Sequence, residues 1–207
     1  MSSIPHLPCL RLGSAYTSLN QSEVLDYRDQ SIRATLSQVN PGVIRRDLKN
    51  ISSARDKLQK FTTAELIKIC QKAGDLFLHA NLPLGQGEHL QSAKEYLETL
   101  SSTSGLPHVM VRKNMEKIHY ALCNMDVILN GLTRGLDLEV LDRGHGVQSG
   151  SPVCFHPTTK ALGLVMPSNS PAVNSLWLPA IPLKIPVFMK PGKDEPWTTY
   201  RLMQAFI

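Results

Sequence analysis

The sequence predicts an α/β fold, in which an N-terminal helical region with a β-hairpin leads into the start of a truncated, Rossmann-like parallel sheet. Two observations support this. Apolar residues recur at helical spacing through much of residues 1–135. After residue 160, two short apolar runs flank a segment that opens with Ser170-Pro171, which is the order strand, helix, strand of a parallel pair. Residues 136–160 lie between these parts, and residues 161–207 begin the sheet.

The composition is that of a globular protein. Hydrophobic residues make up 42% of the 207 residues and charged residues 19%, a balance too apolar for a disordered chain. Lys and Arg outnumber Asp and Glu by 22 to 17, but acids interrupt the basic runs, as in Arg45-Arg46-Asp47. This favours solvated helix faces over a nucleic-acid-binding surface.

The chain also lacks the sequence signals of membrane insertion and secretion. No apolar run reaches the roughly 18 residues that a membrane span needs, and the first residues show no signal-peptide pattern. The four cysteines lie far apart, with neither metal-ligand spacing nor the density of a disulfide framework. We therefore expect a cytoplasmic protein with reduced thiols that binds neither membrane nor nucleic acid.

The first 60 residues give weaker signals than the rest. Residues 1–15 contain prolines and a glycine without periodicity, which predicts an irregular lead-in. A helix is predicted from Ser22 to Val39, ended by Asn40-Pro41-Gly42, and a further short helical segment is predicted within 43–60.

The next helix is clearly indicated. Thr62 and Glu65 have the spacing of a capping box, and an apolar stripe follows at helical intervals up to Ala80. Cys70 lies in that stripe, which favours a core cysteine over a nucleophile. Residues 88–100 predict another helix, and 101–107 a turn.

A long amphipathic helix is predicted over 108–133, with Gly135 placed to end it. His119 and Cys123 are four residues apart on this helix and could share a face as metal ligands. No third ligand is spaced beside them and both adjoin the apolar stripe, so we predict no metal site.

Helical periodicity disappears after residue 135. Gly144, Gly146, Gly150 and Pro152 punctuate short segments, which predicts a β-hairpin over 136–160. Gly144-His145-Gly146 neither follows a strong strand nor opens a helix, so it is interpreted as a turn rather than a phosphate loop.

The last segment predicts a strand over 161–166, a tight loop, a helix over 172–180 and a second strand over 185–189. Ser170 can cap the helix, with Pro171 in its first turn. Open α/β sheets bind ligands at the carboxyl ends of their strands, so Met166–Asn169 and Lys190–Lys193 are expected on one rim. A lysine there can meet ribose hydroxyls or a phosphate.

This segment resembles the aldehyde dehydrogenase superfamily in the order and spacing of its residues. The matching residues are Gly163-Leu164-Val165-Met166-Pro167-Ser168-Asn169-Ser170-Pro171, Trp177, Pro179-Ala180 and Lys190-Pro191-Gly192. The preceding helices and the hairpin also resemble that family's N-terminal region and oligomerisation strands, with weaker specificity. Acyl-CoA reductases are related enough to remain an alternative.

The resemblance implies specific roles. Asn169 is implied to be the catalytic residue that donates a hydrogen bond to the developing oxyanion, with a turn or cap residue as the alternative. Lys190 is implied to contact the adenosine ribose of NAD or NADP, with a solvated strand end as the alternative. The full set of implied cofactor-binding residues is Met166, Pro167, Ser168, Lys190, Gly192 and Lys193.

The sequence departs from the family at two of these positions. The family often has a tryptophan before its asparagine and an acid three residues after its lysine, where this chain has Ser168 and Lys193. Because Lys193 could weaken a ribose bond or favour a 2′-phosphate, NAD and NADP both stay open. The family's catalytic cysteine, general-base glutamate and glycine-rich loop are expected beyond Ile207, so this fragment alone is expected to be inactive.

The functional expectation is therefore a fragment of an NAD(P)-dependent oxidoreductase that acts on a small-molecule aldehyde through a thioester. A fatty-acyl-CoA reductase-like enzyme with an acyl substrate, or a non-catalytic dehydrogenase-like binding or assembly protein, are the alternatives. The resemblance also implies a homo-oligomer assembled through 136–160, and an NAD(P)-binding domain that begins at 161.

Overall fold

The structure, a computed structural model, describes residues 4–85 and 87–207. Its α-helices in this part of the chain are α1 Pro41–Lys49, α2 Ser52–Leu58, α3 Thr63–His79, α4 Ala93–Ser104, α5 His108–Cys123, α6 Met125–Leu132, α7 Val140–Arg143 and α8 Trp197–Phe206. Its strands there are β1 His6–Leu7, β2 Cys9–Arg11, β3 Ser14–Tyr16, β4 Gln21–Leu25, β5 Ile32–Ser37, β6 Leu82–Pro83, β7 Leu90–Gln91, β8 His145–Gln148, β9 Ser151–Cys154, β10 Leu162–Val165 and β11 Val187–Lys190. Helices and several small sheets alternate, which confirms the predicted mixed α/β class.

The helical core is centred on α3, which packs against α5 and α8. The predicted capping box starts α3: the Thr62 hydroxyl accepts from the Glu65 amide, and the Glu65 carboxylate accepts from the Thr62 amide at 2.7 Å. Cys70 and Phe77 on the predicted stripe are fully buried. The apolar periodicity therefore identified the buried face of this helix correctly.

Residues 22–39, predicted as a helix, form strands instead. Strands β4 and β5 pair antiparallel, and β1 adds to β5 in parallel. Asp26 holds the connection between β4 and β5. Its buried carboxylate accepts hydrogen bonds from Arg28 at 2.8 Å and from Arg33 at 2.7 Å. The helix prediction was wrong because the strands depend on a partner 29 residues away in sequence, which a local pattern does not show.

The lead-in over residues 1–15 is also more regular than predicted. Strands β2 and β3 form a hairpin whose turn residues, Leu12 and Gly13, both have positive φ angles of 50° and 88°. Residues 1–3 of this stretch lie outside the described residues. Gly13 was the available signal for the turn.

Asn40-Pro41-Gly42 begins a helix rather than ending one. The Asn40 side chain accepts a hydrogen bond from the Val43 amide at 3.0 Å, and Pro41 occupies the first turn of α1. The predicted helical segment over 43–60 is present as parts of α1 and α2.

Two other helix predictions are correct in place and wrong in extent. The helix predicted over 88–100 starts at Ala93, after a second capping box formed by Ser92 and Glu95. The helix predicted over 108–133 is interrupted at Asn124, whose side-chain amide donates to the Tyr120 carbonyl at 2.8 Å.

The predicted hairpin is formed by β8 and β9, and the short helix α7 precedes it. Gly144, predicted as part of a turn, ends α7 with φ 76°, and His145 and Gly146 already lie in β8. None of the helices in the described part of the chain is long and apolar enough to cross a membrane.

The predicted strand pair at the end of the chain is formed by β10 and β11. They pair in parallel, in a register that runs from Leu162 opposite Val187 to Val165 opposite Lys190. The helix predicted over 172–180 consists instead of two 3-10 helices, Pro171–Leu176 and Leu178–Ala180. Pro179, which has no amide hydrogen, explains why a regular α-helix does not continue there.

Candidate functional site

The two loops that follow β10 and β11 lie at the same edge of the parallel pair. Val165 is opposite Lys190, and the Met166 amide donates to the Lys190 carbonyl at 2.9 Å. The structure therefore brings together the two segments that were expected on one rim, Met166–Asn169 and Lys190–Lys193.

Gly192 brings these two loops into backbone contact. A Cβ atom at this position would lie 2.5 Å from the Pro167 carbonyl oxygen and 2.8 Å from Ser168 Oγ. Ser168 Oγ also accepts a hydrogen bond from the Asp194 amide at 3.2 Å. Only glycine fits here without displacing one loop, so the close approach is specified by this residue.

Asn169 lies on the exposed side of the first loop. In the part of the chain that the structure describes, its side chain has no hydrogen-bond partner. Ser170, which was expected to cap the following helix, has φ −149° and makes no capping hydrogen bond with its side chain. The Asn169 amide group is therefore available to a ligand.

Asn174, which the sequence did not single out, anchors the segment after Asn169. Its side chain is buried, donates to the Pro171 carbonyl at 3.0 Å, and accepts from Trp177 Nε1 at 3.0 Å and from Thr199 Oγ1 at 3.2 Å. The second 3-10 turn and α8 are thereby tied to this loop. An asparagine three residues before a tryptophan was the only sequence signal for this anchor.

The lysines of the second loop extend into solvent. Lys190 is exposed, and its Nζ lies 3.4 Å from the Pro191 carbonyl oxygen, a long contact. Lys193 is also exposed. Two cationic side chains at the edge of a parallel strand pair provide a surface to which a phosphate or ribose can bind.

A buried cluster of polar side chains at the start of α8 stabilises the loop that follows β11. The Glu195 carboxylate accepts from the Thr198 amide at 2.8 Å and from the Thr198 hydroxyl, and that hydroxyl also contacts the Tyr96 hydroxyl at 2.6 Å. Thr103 donates to the Asp194 carbonyl at 2.7 Å. Burial raises the pKa of Glu195 to about 7, although the hydrogen bonds from Thr198 act in the opposite direction.

Three of the four cysteines are poor nucleophiles. Burial raises the pKa of Cys70 to about 12, and it also raises the pKa values of Cys9 and Cys123. The position of Cys70 in the core agrees with its interpretation as a packing residue. Cys154 is exposed in β9.

No protein-family model and no curated protein matches the sequence. Solved structures do match: an aldehyde dehydrogenase from Brucella melitensis biovar abortus 2308 has a TM-score of 0.73 at 16% identity, over 100% of this chain and 40% of that one. A betaine aldehyde dehydrogenase from Staphylococcus aureus in complex with NAD+ has a TM-score of 0.69 at 15% identity, over 96% and 38%. An NAD-dependent benzaldehyde dehydrogenase from Corynebacterium glutamicum has a TM-score of 0.68 at 17% identity, over 96% and 41%.

These matches show the fold. Nearly the whole chain superposes on aldehyde dehydrogenases, and the chain spans about 40% of the length of the structure from Brucella. The resemblance inferred from residues 163–192 is therefore confirmed at the level of the fold, and it is consistent with the N-terminal part of such an enzyme.

Proposed function

We propose that this chain is a fragment of an NAD(P)-dependent oxidoreductase that acts on an aldehyde through a thioester intermediate. The observation that carries the proposal is the rim formed by the loops after β10 and β11, with Asn169 exposed on one loop and Lys190 on the other. Solved structures with the same fold include aldehyde dehydrogenases, among them one in complex with NAD+.

Each rim residue has a role in this proposal. Asn169 donates a hydrogen bond to the oxyanion that develops when the nucleophile attacks the aldehyde carbon. The backbone of Met166–Ser168 lines the dinucleotide, and Lys190 contacts the adenosine ribose. Gly192 keeps the two loops close enough to form one surface, and Lys193 lies beside the ribose.

The bound dinucleotide supplies the hydride acceptor, and the nucleophilic cysteine is proposed to lie outside residues 1–207. Lys193 places a positive charge on the rim where the related enzymes often have an acid, which favours a 2′-phosphate. Asp194 follows directly and could accept from a ribose hydroxyl. NAD and NADP therefore both remain in the proposal, to be separated by titration.

Residues 161–207, which contain β10 and β11, are proposed to be the start of a larger Rossmann-like sheet. Exposed apolar side chains support this. Strands of parallel sheets are usually covered on both faces. Val165, the last residue of β10, is 79% exposed, and Leu176 in the crossover segment is 78% exposed. Further strands and helices of a complete nucleotide-binding domain would cover this surface.

The hairpin β8–β9 is proposed to serve oligomerisation. Val147 on β8 is 67% exposed, and Phe155, directly after β9, is 38% exposed. Apolar side chains on an exposed hairpin are suited to pairing with a second copy.

The four cysteines are free of disulfides, which is compatible with the predicted cytoplasmic location.

Calorimetric titration of NAD+ and NADP+ into the protein that combines this chain with the proposed remainder of the enzyme tests cofactor binding. We expect one dinucleotide to bind, and Lys190→Ala to weaken that binding by about 10-fold or more, because a charged hydrogen bond is lost. Lys94→Ala is the matched control, since Lys94 is an exposed lysine on α4. If neither dinucleotide binds, the result would support the alternative of a dehydrogenase-like assembly protein.

The catalytic role is tested in the protein that combines this chain with the proposed remainder of the enzyme. Asn169→Ala is expected to lower kcat for aldehyde oxidation by roughly 100-fold or more while dinucleotide affinity stays within about 2-fold. The acyl-CoA reductase alternative is examined with the same variant by following reduction of an acyl thioester. Unchanged kcat in both assays would overturn the assignment of Asn169.

A further inference from the structure

Three potential metal ligands from two helices converge at one side of the α3–α5 contact. His119 Nε2 lies 3.0 Å from Asp75 Oδ1 and 3.3 Å from Cys123 Sγ. One ligand atom from each of these three residues lies within 4.8 Å of the other two. The group is separate from the loops after β10 and β11 described above.

Helix geometry explains this arrangement. His119 and Cys123 are four residues apart on α5, which places them on one helix face, and Asp75 faces them from α3. Gly74 permits the close approach, because a Cβ atom there would lie 3.0 Å from Leu122 Cβ and 3.4 Å from Cys123 Sγ. The sequence alone offered no third ligand because Asp75 is 44 residues from His119.

The same three residue types can also form a nucleophilic triad, and the geometry argues against that reading. In a triad the acid binds one ring nitrogen of the histidine and the nucleophile binds the other. Here Asp75 and Cys123 both contact Nε2 of His119. Burial and the nearby Asp75 carboxylate also raise the pKa of Cys123, the reverse of what an activated thiol needs.

Ligand atoms that converge on a single ring nitrogen have the arrangement that a shared cation requires. We propose that Asp75, His119 and Cys123 bind one Zn²⁺ ion that ties α3 to α5, with a water molecule as the fourth ligand. In a tetrahedral zinc site, nitrogen and oxygen ligands are about 3.3 Å apart and nitrogen and sulfur ligands about 3.6 Å apart. The observed nitrogen–oxygen and nitrogen–sulfur separations of 3.0 and 3.3 Å need to widen by about 0.3 Å each, and the Asp75 oxygen and the Cys123 sulfur lie within 4.8 Å of each other.

The chemistry of the ligands favours zinc over harder cations. An imidazole, a thiolate and a carboxylate form a mixed set that suits Zn²⁺, whereas Mg²⁺ and Ca²⁺ prefer oxygen ligands. The Cys123 thiol releases its proton to solvent when the ion binds. The Asp75 and Cys123 anions then balance the two positive charges of the ion.

His79 lies next to this group without being one of the three ligands. It is four residues after Asp75 on α3, and its ring centroid is 6.1 Å from that of His119. A water molecule as the fourth ligand leaves His79 dispensable. His79→Gln is therefore expected to retain binding within about 3-fold, whereas removal of a ligand is expected to weaken it by at least about 100-fold.

Titration with Co²⁺, a spectroscopic substitute for Zn²⁺, tests the proposal on the 207-residue chain. We expect one Co²⁺ per chain, a thiolate-to-cobalt charge-transfer band, and loss of that band when Zn²⁺ is added. Cys123→Ser should abolish the band, and Asp75→Asn, a conservative change at an exposed site, should weaken binding. Cys154→Ser is the control, since that cysteine is exposed on a separate hairpin.

The outcomes separate clearly. Binding that is weakened in Asp75→Asn, is lost with its charge-transfer band in Cys123→Ser and survives Cys154→Ser supports the site. Absence of a charge-transfer band in the wild type, or a band that persists in Cys123→Ser, overturns it. Circular dichroism of each variant checks that the helices are intact. Because dinucleotide binding is measured separately, failure of either proposal is distinguishable from failure of the other.

Discussion

Gly192 and Pro167 are in such close contact that a Cβ atom on Gly192 would lie 2.5 Å from the Pro167 carbonyl oxygen. The neighbouring atom is backbone, which cannot rotate away as a flexible side chain can. The loops after β10 and β11 are thus packed against each other through main-chain atoms.

Gly192→Ala is therefore expected to separate these loops. We expect the free energy of unfolding to fall by roughly 1–3 kcal/mol because the added methyl group forces a backbone shift. Urea denaturation measures this change. Gly163→Ala in β10 is the matched control, since a Cβ atom there meets nothing within 4 Å. An equal loss in both variants would contradict the proposed contact.

Arg201 anchors α8 to the end of α3. Its guanidinium donates to the carbonyls of Phe77 at 2.9 Å, Ala80 at 2.6 Å and Gln91 at 2.9 Å. Arg201→Met leaves three carbonyls without this donor. We therefore expect the free energy of unfolding, measured by urea denaturation, to fall by roughly 3 kcal/mol. Arg112→Met, at an exposed position of α5, should change stability by less than about 0.5 kcal/mol.

Glu195 makes stability depend on pH on the acidic side of neutrality. Burial raises its pKa from 4.5 to about 7, so between these values the folded chain keeps a proton that the unfolded chain has lost. The contribution of Glu195 to stability therefore falls as pH rises from 4.5 to 7, and it is constant above that.

Glu195→Gln removes this dependence. Relative to wild type, the free energy of unfolding of the variant should rise by up to about 3 kcal/mol between pH 4.5 and pH 7. Urea unfolding at several pH values measures the difference. Glu98→Gln, at an exposed site on α4, should run parallel to wild type. A constant difference between Glu195→Gln and wild type would refute the elevated pKa.

Asp142 on α7 connects the hairpin region to two other parts of the chain. Its carboxylate accepts from Lys184 Nζ at 2.6 Å and from the Thr63 amide at 2.9 Å. Burial alone would raise the pKa of Asp142, but the hydrogen bonds from Lys184 and Thr63 outweigh it and lower the pKa below 3.8. Its stabilisation is thus present above pH 3.8 and is lost as pH falls through the lowered pKa.

Asp142→Asn is expected to lower the free energy of unfolding by about 2 kcal/mol at pH 7, because the mostly buried Lys184 loses its anionic partner. The difference from wild type should shrink as pH falls below 3.8. Thermal or urea unfolding across this range measures it. Asp56→Asn, at an exposed position of α2, provides the control, and a pH-independent difference for Asp142→Asn would contradict the linkage.

Local patterns in the sequence determined several features correctly. The capping box of Thr62 and Glu65, with the apolar stripe that follows, identified α3 and its buried face, because cap and periodicity act within a few residues. The two apolar runs around Ser170-Pro171 predicted the parallel pairing of β10 and β11. The short spacing of those runs leaves few alternative connections.

Long-range contacts decided what the sequence could not. The strands over 21–37 form because β1 pairs with β5 and because Arg28 and Arg33 bind the buried Asp26. The local sequence pattern of these strands also fits a helix. Asp75 meets His119 and Cys123 only because Gly74 lets α3 approach α5. By itself the sequence determined local elements and the order of the strand pair. Tertiary packing alone decided which distant side chains share a site, since that depends on the distances between elements.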